Sequence, residues 1–111
     1  MTRQPTRADA IAAAERVFDS GELLDTLRRR VAIRSQSQDP ASAAELRRYL
    51  DDEMIPSLEA LGFACEVWKN PVATAPPLLY ARRIEDPARP TLLTYGHGDV
   101  VHGQDAQWSA G

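Results

Sequence analysis

Residues 58–68 read Leu58-Glu59-Ala60-Leu61-Gly62-Phe63-Ala64-Cys65-Glu66-Val67-Trp68, and the hydrophobic period changes inside them. Up to Leu61 the apolar residues follow a helical rhythm: Leu46, Leu50, Met54, Leu58 and Leu61 form one stripe. Beyond Gly62 the period is two, with Phe63, Cys65 and Val67 alternating against Glu66 and Trp68. Gly62 is placed to end the helix in a left-handed conformation, which a residue without Cβ adopts at no steric cost. This junction predicts helices followed by strands, an α/β or α+β arrangement in which a sheet is layered with helices.

Upstream, the long helix is preceded by the loop Ser35-Gln36-Ser37-Gln38-Asp39-Pro40, and Ser42-x-x-Glu45 has the spacing of a capping box. Pro56 lies within the stripe and should kink the helix or split off its last turn. The run Asp51-Asp52-Glu53 reads as a wet face rather than a metal site. Two shorter helices come earlier. Ile11, Ala14, Val17 and Phe18 mark the first, punctuated by Ser20-Gly21. Leu23, Leu24, Leu27 and Val31 mark the second. Glu22 and Asp25 early and Arg28-Arg29-Arg30 late suit the second helix's dipole, so the arginine run reads as a solvated face. Residues 1–6 read as a flexible arm, and 7–111 as one folding unit.

Downstream, Pro71, Pro76 and Pro77 break the chain before Leu78–Ile84, a second strand. The polar link Glu85–Pro90 then leads to a third, Thr91-Leu92-Leu93-Thr94-Tyr95, expected to form a hairpin with the second. Three strands make an incomplete sheet, whose edge stays exposed unless another segment covers it.

Composition bounds the function. The 111 residues are 43% hydrophobic and 26% charged, as in an ordinary globular domain. A chain this short buries roughly 65% of its unfolded surface, a modest core. A net charge of −3 argues against a nucleic-acid partner, which needs a clustered basic surface. Twelve of the 13 basic residues are arginine, which reads as codon bias. Cys65 is the only cysteine, so neither an internal disulfide nor a cysteine-rich zinc site can form. The apolar run near the start that holds Ile11-Ala12-Ala13-Ala14 is too short for a signal or membrane segment, and the expected compartment is the cytoplasm.

The chemistry is concentrated in Gly96-His97-Gly98-Asp99-Val100-Val101, directly after the third expected strand. Ligand sites of open α/β sheets favour the carboxyl ends of strands. His97 and Asp99 are two apart and share a face on extended backbone. A carboxylate beside a metal-binding imidazole takes the other ring N–H and fixes the tautomer. Taken alone, His-x-Asp is a weak signal and reads first as a loop with a solvent-exposed histidine and a turn-forming aspartate. Ser35 and Ser37 lack a Gly-x-Ser-x-Gly elbow and read as loop caps.

The run from Leu92 to Trp108, LLTYGHGDVVHGQDAQW, resembles the first metal motif of the aminoacylase, carboxypeptidase G and succinyl-diaminopimelate desuccinylase family of zinc peptidases. That pattern is a hydrophobic strand, Gly-His-x-Asp-Val, a short polar segment and a Trp. Residues 27–37, LRRRVAIRSQS, look like the family's early helix and small polar loop, residues 58–63 like its helix-to-strand junction, and residues 79–94 like its hairpin.

The resemblance implies that His97 is a ligand to one of two zinc ions and Asp99 the carboxylate that orients it. Trp108 matches a recurrent family aromatic, read as a packing residue. His102 stands where the family is variable, and Asp105 reads as a turn residue. The family's bridging Asp, Glu-Glu pair, further acidic ligand and distant His have no counterpart here, nor does its lid or dimerisation domain, through which the complete enzyme would form a homodimer. The resemblance therefore implies an incomplete, N-terminal portion of a zinc-peptidase catalytic domain. The complete enzyme would be a hydrolase of peptide or N-acyl amino acid amide bonds, and this chain is expected to be inactive alone. Two other readings stay open: a small metal-binding or interaction module using His97, Asp99, His102 and Asp105, and an inert domain whose His-x-Asp is accidental.

Overall fold

The computed structural model describes residues 3–109. They fall into two compact units that divide between Ala32 and Ile33.

The first unit is a pair of helices, α1 (Arg7–Asp19) and α2 (Glu22–Val31). The α1 terminus is set by a capping box at Thr6. The Asp9 amide donates to Thr6 Oγ1 at 3.3 Å, and the Thr6 amide donates to Asp9 Oδ2 at 2.7 Å. Arg3 adds a bond to Asp9 Oδ1 at 2.8 Å, so residues 3–6 of the expected arm carry no helix yet are tied to it. Gly21, at φ 83°, turns the chain between the helices, and the α2 charges run acidic to basic as the sequence order implies. Neither helix has a buried residue. Phe18 is 70% exposed and Val31 80%, and Leu24 and Leu27 are also exposed.

Arg3 first, then Thr6, holds the Asp9 carboxyl below its ordinary 3.8. Because the folded pKa is depressed, the carboxylate's support for α1 is complete above the unfolded value and is lost as pH falls through the folded one. An NMR titration from about pH 5 to about pH 2 should show the Asp9 carboxyl and the Thr6 amide moving together, with a midpoint below 3.8. A midpoint at or above that value would count against the Arg3 and Thr6 contacts to Asp9 together.

The second unit begins with Ile33, the one buried hydrophobic residue among those described, at 5% exposure. Its long helical segment opens differently from the expected capping box at Ser42. The Asp39 side chain accepts from the Ala41 amide at 3.0 Å and from the Ser42 hydroxyl at 3.3 Å, starting a 3-10 turn over Pro40–Ser42. Ser42 thus commits its hydroxyl to Asp39, and Glu45 pairs with Arg48 instead.

From there the chain stays helical through α3 (Ala43–Arg48), a π-helical turn (Tyr49–Met54) and α4 (Ile55–Ala60). The π turn is the answer to Pro56. Proline has no N–H to donate, and its ring crowds the carbonyl four residues back. Widening the helix just upstream, where the Ile55 amide reaches Leu50 O, admits the ring without breaking the helix. The expected kink is therefore a change of hydrogen-bond register.

Leu46, Leu50, Met54 and Leu58 are half-buried along the inner stripe, while Asp51 and Asp52 lie exposed and pair with Arg47 and Arg48. At the far end Gly62, at φ 84°, closes the helix. The Phe63 amide donates to Leu58 O at 3.1 Å and the Gly62 amide to Glu59 O at 2.9 Å, the double bond of a Schellman cap.

Strands β1 (Ala64–Trp68) and β2 (Leu78–Arg82) pair antiparallel, with Cys65 opposite Ala81 and Val67 opposite Leu79. Those four residues are half-buried; on the other face Trp68 stacks on Tyr80 with centroids 4.6 Å apart. Burial pushes the Cys65 thiol up. The hairpin thus joins the first and second strands, through residues 69–77, and not the second and third as expected. Residues 91–95 form no ladder: Leu92, Leu93 and Tyr95 are 85%, 87% and 91% exposed. A turn at Asp86–Arg89 and the donor-less Pro90 lead the chain away from β2, and a two-stranded sheet offers Leu92 and Leu93 no face to bury on. Among the described residues the architecture is helices with a two-stranded antiparallel sheet, a small α/β arrangement. No helix of the described residues is long and apolar enough to cross a membrane.

Candidate metal centre

His97 and Asp99 do meet. Leaving β2, the chain runs as irregular backbone through residues 90–99 to the loop that follows Ile33, where Val100 forms a parallel bridge with Gln36. The Val100 amide donates to Ser35 O at 2.8 Å. This docking brings two period-two segments, Ser35-x-Ser37 and His97-x-Asp99, alongside each other.

The His97 Nδ1 lies 3.0 Å from Asp99 Oδ1 and 3.3 Å from the Asp99 carbonyl oxygen. A carboxylate and a carbonyl offer only acceptors, so Nδ1 is the ring nitrogen that donates to them. The imidazole is 68% exposed, and the carboxylate 39%. The second oxygen, Asp99 Oδ2, accepts from the Ser37 hydroxyl at 2.6 Å, a charge-assisted bond. That hydroxyl is the foremost reason the Asp99 carboxyl lies below its usual range; partial burial opposes it, and His97 adds a further lowering contribution. The carboxylate is therefore held from both sides, by the Ser37 hydroxyl and by the His97 ring.

The two glycines flanking His97 differ. A Cβ at Gly96 would meet nothing within 4 Å, whereas at Gly98 it would overlap the Tyr49 ring, with Cδ1 and Cζ both at 2.8 Å. Gly98 is thus needed for close approach to the start of the π turn. Gly96 answers no such demand.

Ser35 and Ser37, read from sequence as loop caps, are the residues that reasoning along the chain missed. Ser35 is 2% exposed, and its hydroxyl donates to Gly98 O at 2.7 Å. The available signal was the shared period of two in Ser-x-Ser and His-x-Asp, which lets paired segments present both sets to one another.

His102 and Asp105 stand apart. His102 lines a shallow pocket with Val101, Gly103, Gln104 and Trp108, and no three His, Cys, Asp or Glu side chains among the described residues gather where a metal could be held. Trp108, expected to pack, is 73% exposed; its indole N–H donates to Gly103 O at 2.7 Å and ties down the short turn around Asp105. Comparison with family models, curated proteins and solved structures finds no match to the chain.

Proposed function

We propose that this chain is the N-terminal part of the catalytic domain of a zinc-dependent hydrolase that cleaves amide bonds of peptides or N-acyl amino acids. The observation that carries the reading is the His97–Asp99 pair, with the carboxylate 3.0 Å from Nδ1 of an exposed imidazole. That donor chemistry suits one zinc ligand: an imidazole that a carboxylate orients through Nδ1 and makes more basic, leaving Nε2 for the metal. The unburied, strand-like Leu92–Tyr95 supports it too, because apolar residues at 85–91% exposure are what a larger sheet would cover.

His97 would hold the metal through Nε2, and Asp99 would keep the ring oriented and retain the Nδ1 proton. Zinc, when bound, supplies Lewis-acid polarisation of the scissile carbonyl and activation of water. No three candidate ligands gather among the described residues, so on this reading the chain should bind zinc weakly and hydrolyse neither dipeptides nor N-acetyl amino acids.

The reading frame beyond the codon for Gly111 tests this. It should encode a Gly-Arg-Gly-like turn, then an Asp followed by Lys-Gly or a close variant, and later a Glu-Glu pair. A frame without those motifs overturns the proposal. So does a stable one-to-one zinc complex of the chain after gel filtration, measured by elemental analysis, which would indicate a self-contained metal-binding module.

A further inference from the structure

We infer that Ser35 and Ser37 are positioning residues for the metal-binding histidine, forming a relay from the loop after Ile33 through Asp99 to His97. Its relevance to metal binding rests on the reading of His97 as a ligand; its geometry does not.

Three consecutive residues of the histidine segment are held by this loop. The Gly98 carbonyl accepts from the Ser35 hydroxyl at 2.7 Å, the Asp99 carboxylate accepts from the Ser37 hydroxyl at 2.6 Å, and the Val100 amide donates to the Ser35 carbonyl at 2.8 Å. Backbone on either side of Asp99 is thereby fixed by one residue, and the Asp99 side chain is fixed by another. With Oδ2 occupied by Ser37, Oδ1 is the oxygen presented to His97 Nδ1, at 3.0 Å.

Burial explains the division of labour. Ser35, at 2% exposure, sits where an unbonded hydroxyl would be costly, so its bond to Gly98 O is a structural requirement of the docked loop. Ser37 is half-buried, and its hydroxyl could be solvated instead. Its bond to the carboxylate orients Asp99. Neither serine touches the position a metal would take at Nε2; both act through Asp99.

The test uses the full 111-residue chain, labelled with 15N and free of metal. Long-range 1H–15N correlation reads which ring nitrogen of His97 carries the proton. The wild-type chain should show the Nδ1–H tautomer. Ser37→Ala should shift the population toward Nε2–H, and Ser37→Thr, which keeps a hydroxyl, should restore Nδ1–H.

Hydrogen exchange at the Val100 amide separates orientation from docking. Ser37→Ala should leave its protection near wild type, whereas Ser35→Ala should lower it. If Ser37→Ala retained the wild-type tautomer, the relay would be refuted. Should Ser37→Ala also lose Val100 protection, the Thr variant must recover the tautomer, and failure to do so would equally refute it.

Adding zinc in a second arm should perturb Nε2 in the wild type and require about tenfold more metal in Ser37→Ala, the low end for loss of a partner behind a ligand. If zinc left His97 Nε2 unperturbed in the wild type, the metal reading would fail while the tautomer results still decided the relay.

Discussion

His97→Ala, introduced into the complete enzyme proposed above, abolishes turnover and empties one of its two metal positions. On that reading the imidazole is the ligand this segment would contribute, and alanine would leave no donor in its place. Asp99→Asn has a smaller and different effect. Asparagine keeps an oxygen able to accept from Nδ1–H, and its amide can donate to the Ser37 oxygen in a longer, neutral bond, so both contacts keep a partner. What disappears is the negative charge that makes the imidazole a better donor, a loss of about 10–100-fold in metal affinity or activity. At saturating zinc Asp99→Asn should therefore retain metal yet turn over slowly. His102→Ala should change little, since that ring lines the shallow pocket beside Trp108. Zinc content and turnover of the three variants across a zinc titration decide the matter. Wild-type behaviour of Asp99→Asn together with metal loss in His102→Ala would reverse the assignment.

Gly98→Ala carries the largest expected stability effect. The added methyl would overlap the Tyr49 ring, so either the ring or the 97–100 segment must move. Overpacking of this kind costs about 1–3 kcal/mol. In urea the second unit should lose that much, while the Thr6–Asp9 bonds of the first, read by NMR, stay unchanged. Gly96→Ala is the control, because nothing lies within 4 Å of its added Cβ. Removing the ring in a Tyr49→Ala background should recover most of the Gly98→Ala penalty, a coupling that a double-mutant cycle measures directly. Equal effects of the two glycine substitutions would exclude close approach as the reason for Gly98.

What could be read from the sequence divides along the reach of the interactions. The two early helices, the stop at Gly62 and the alternation of β1 depend on neighbours within a few residues, and their signals are local. The π turn was half legible: Pro56 announces a disturbance, but whether a helix bends, breaks or widens depends on what its flanks pack against. The third strand was misread because Thr91–Tyr95 has strand composition, and composition does not reveal whether a sheet offers it a partner. Within the candidate site, the His97–Asp99 contact follows from spacing alone. The Ser35 and Ser37 contacts join residues 63 and 62 positions apart, and no window along the chain contains them.

Those separations have a kinetic meaning. Helices and a short hairpin form within microseconds from neighbouring residues. Docking the 97–100 segment on the 35–37 loop closes a ring of about sixty residues, with an entropic cost on the order of 4 kcal/mol if the intervening chain is flexible. The hydrogen bonds that reward the closure are few, at about 0.5–3 kcal/mol each. Docking of the histidine segment should therefore come late in folding, and its release early in unfolding. Hydrogen exchange at the Val100 amide should then run ahead of that in α3, α4 and the β1–β2 hairpin.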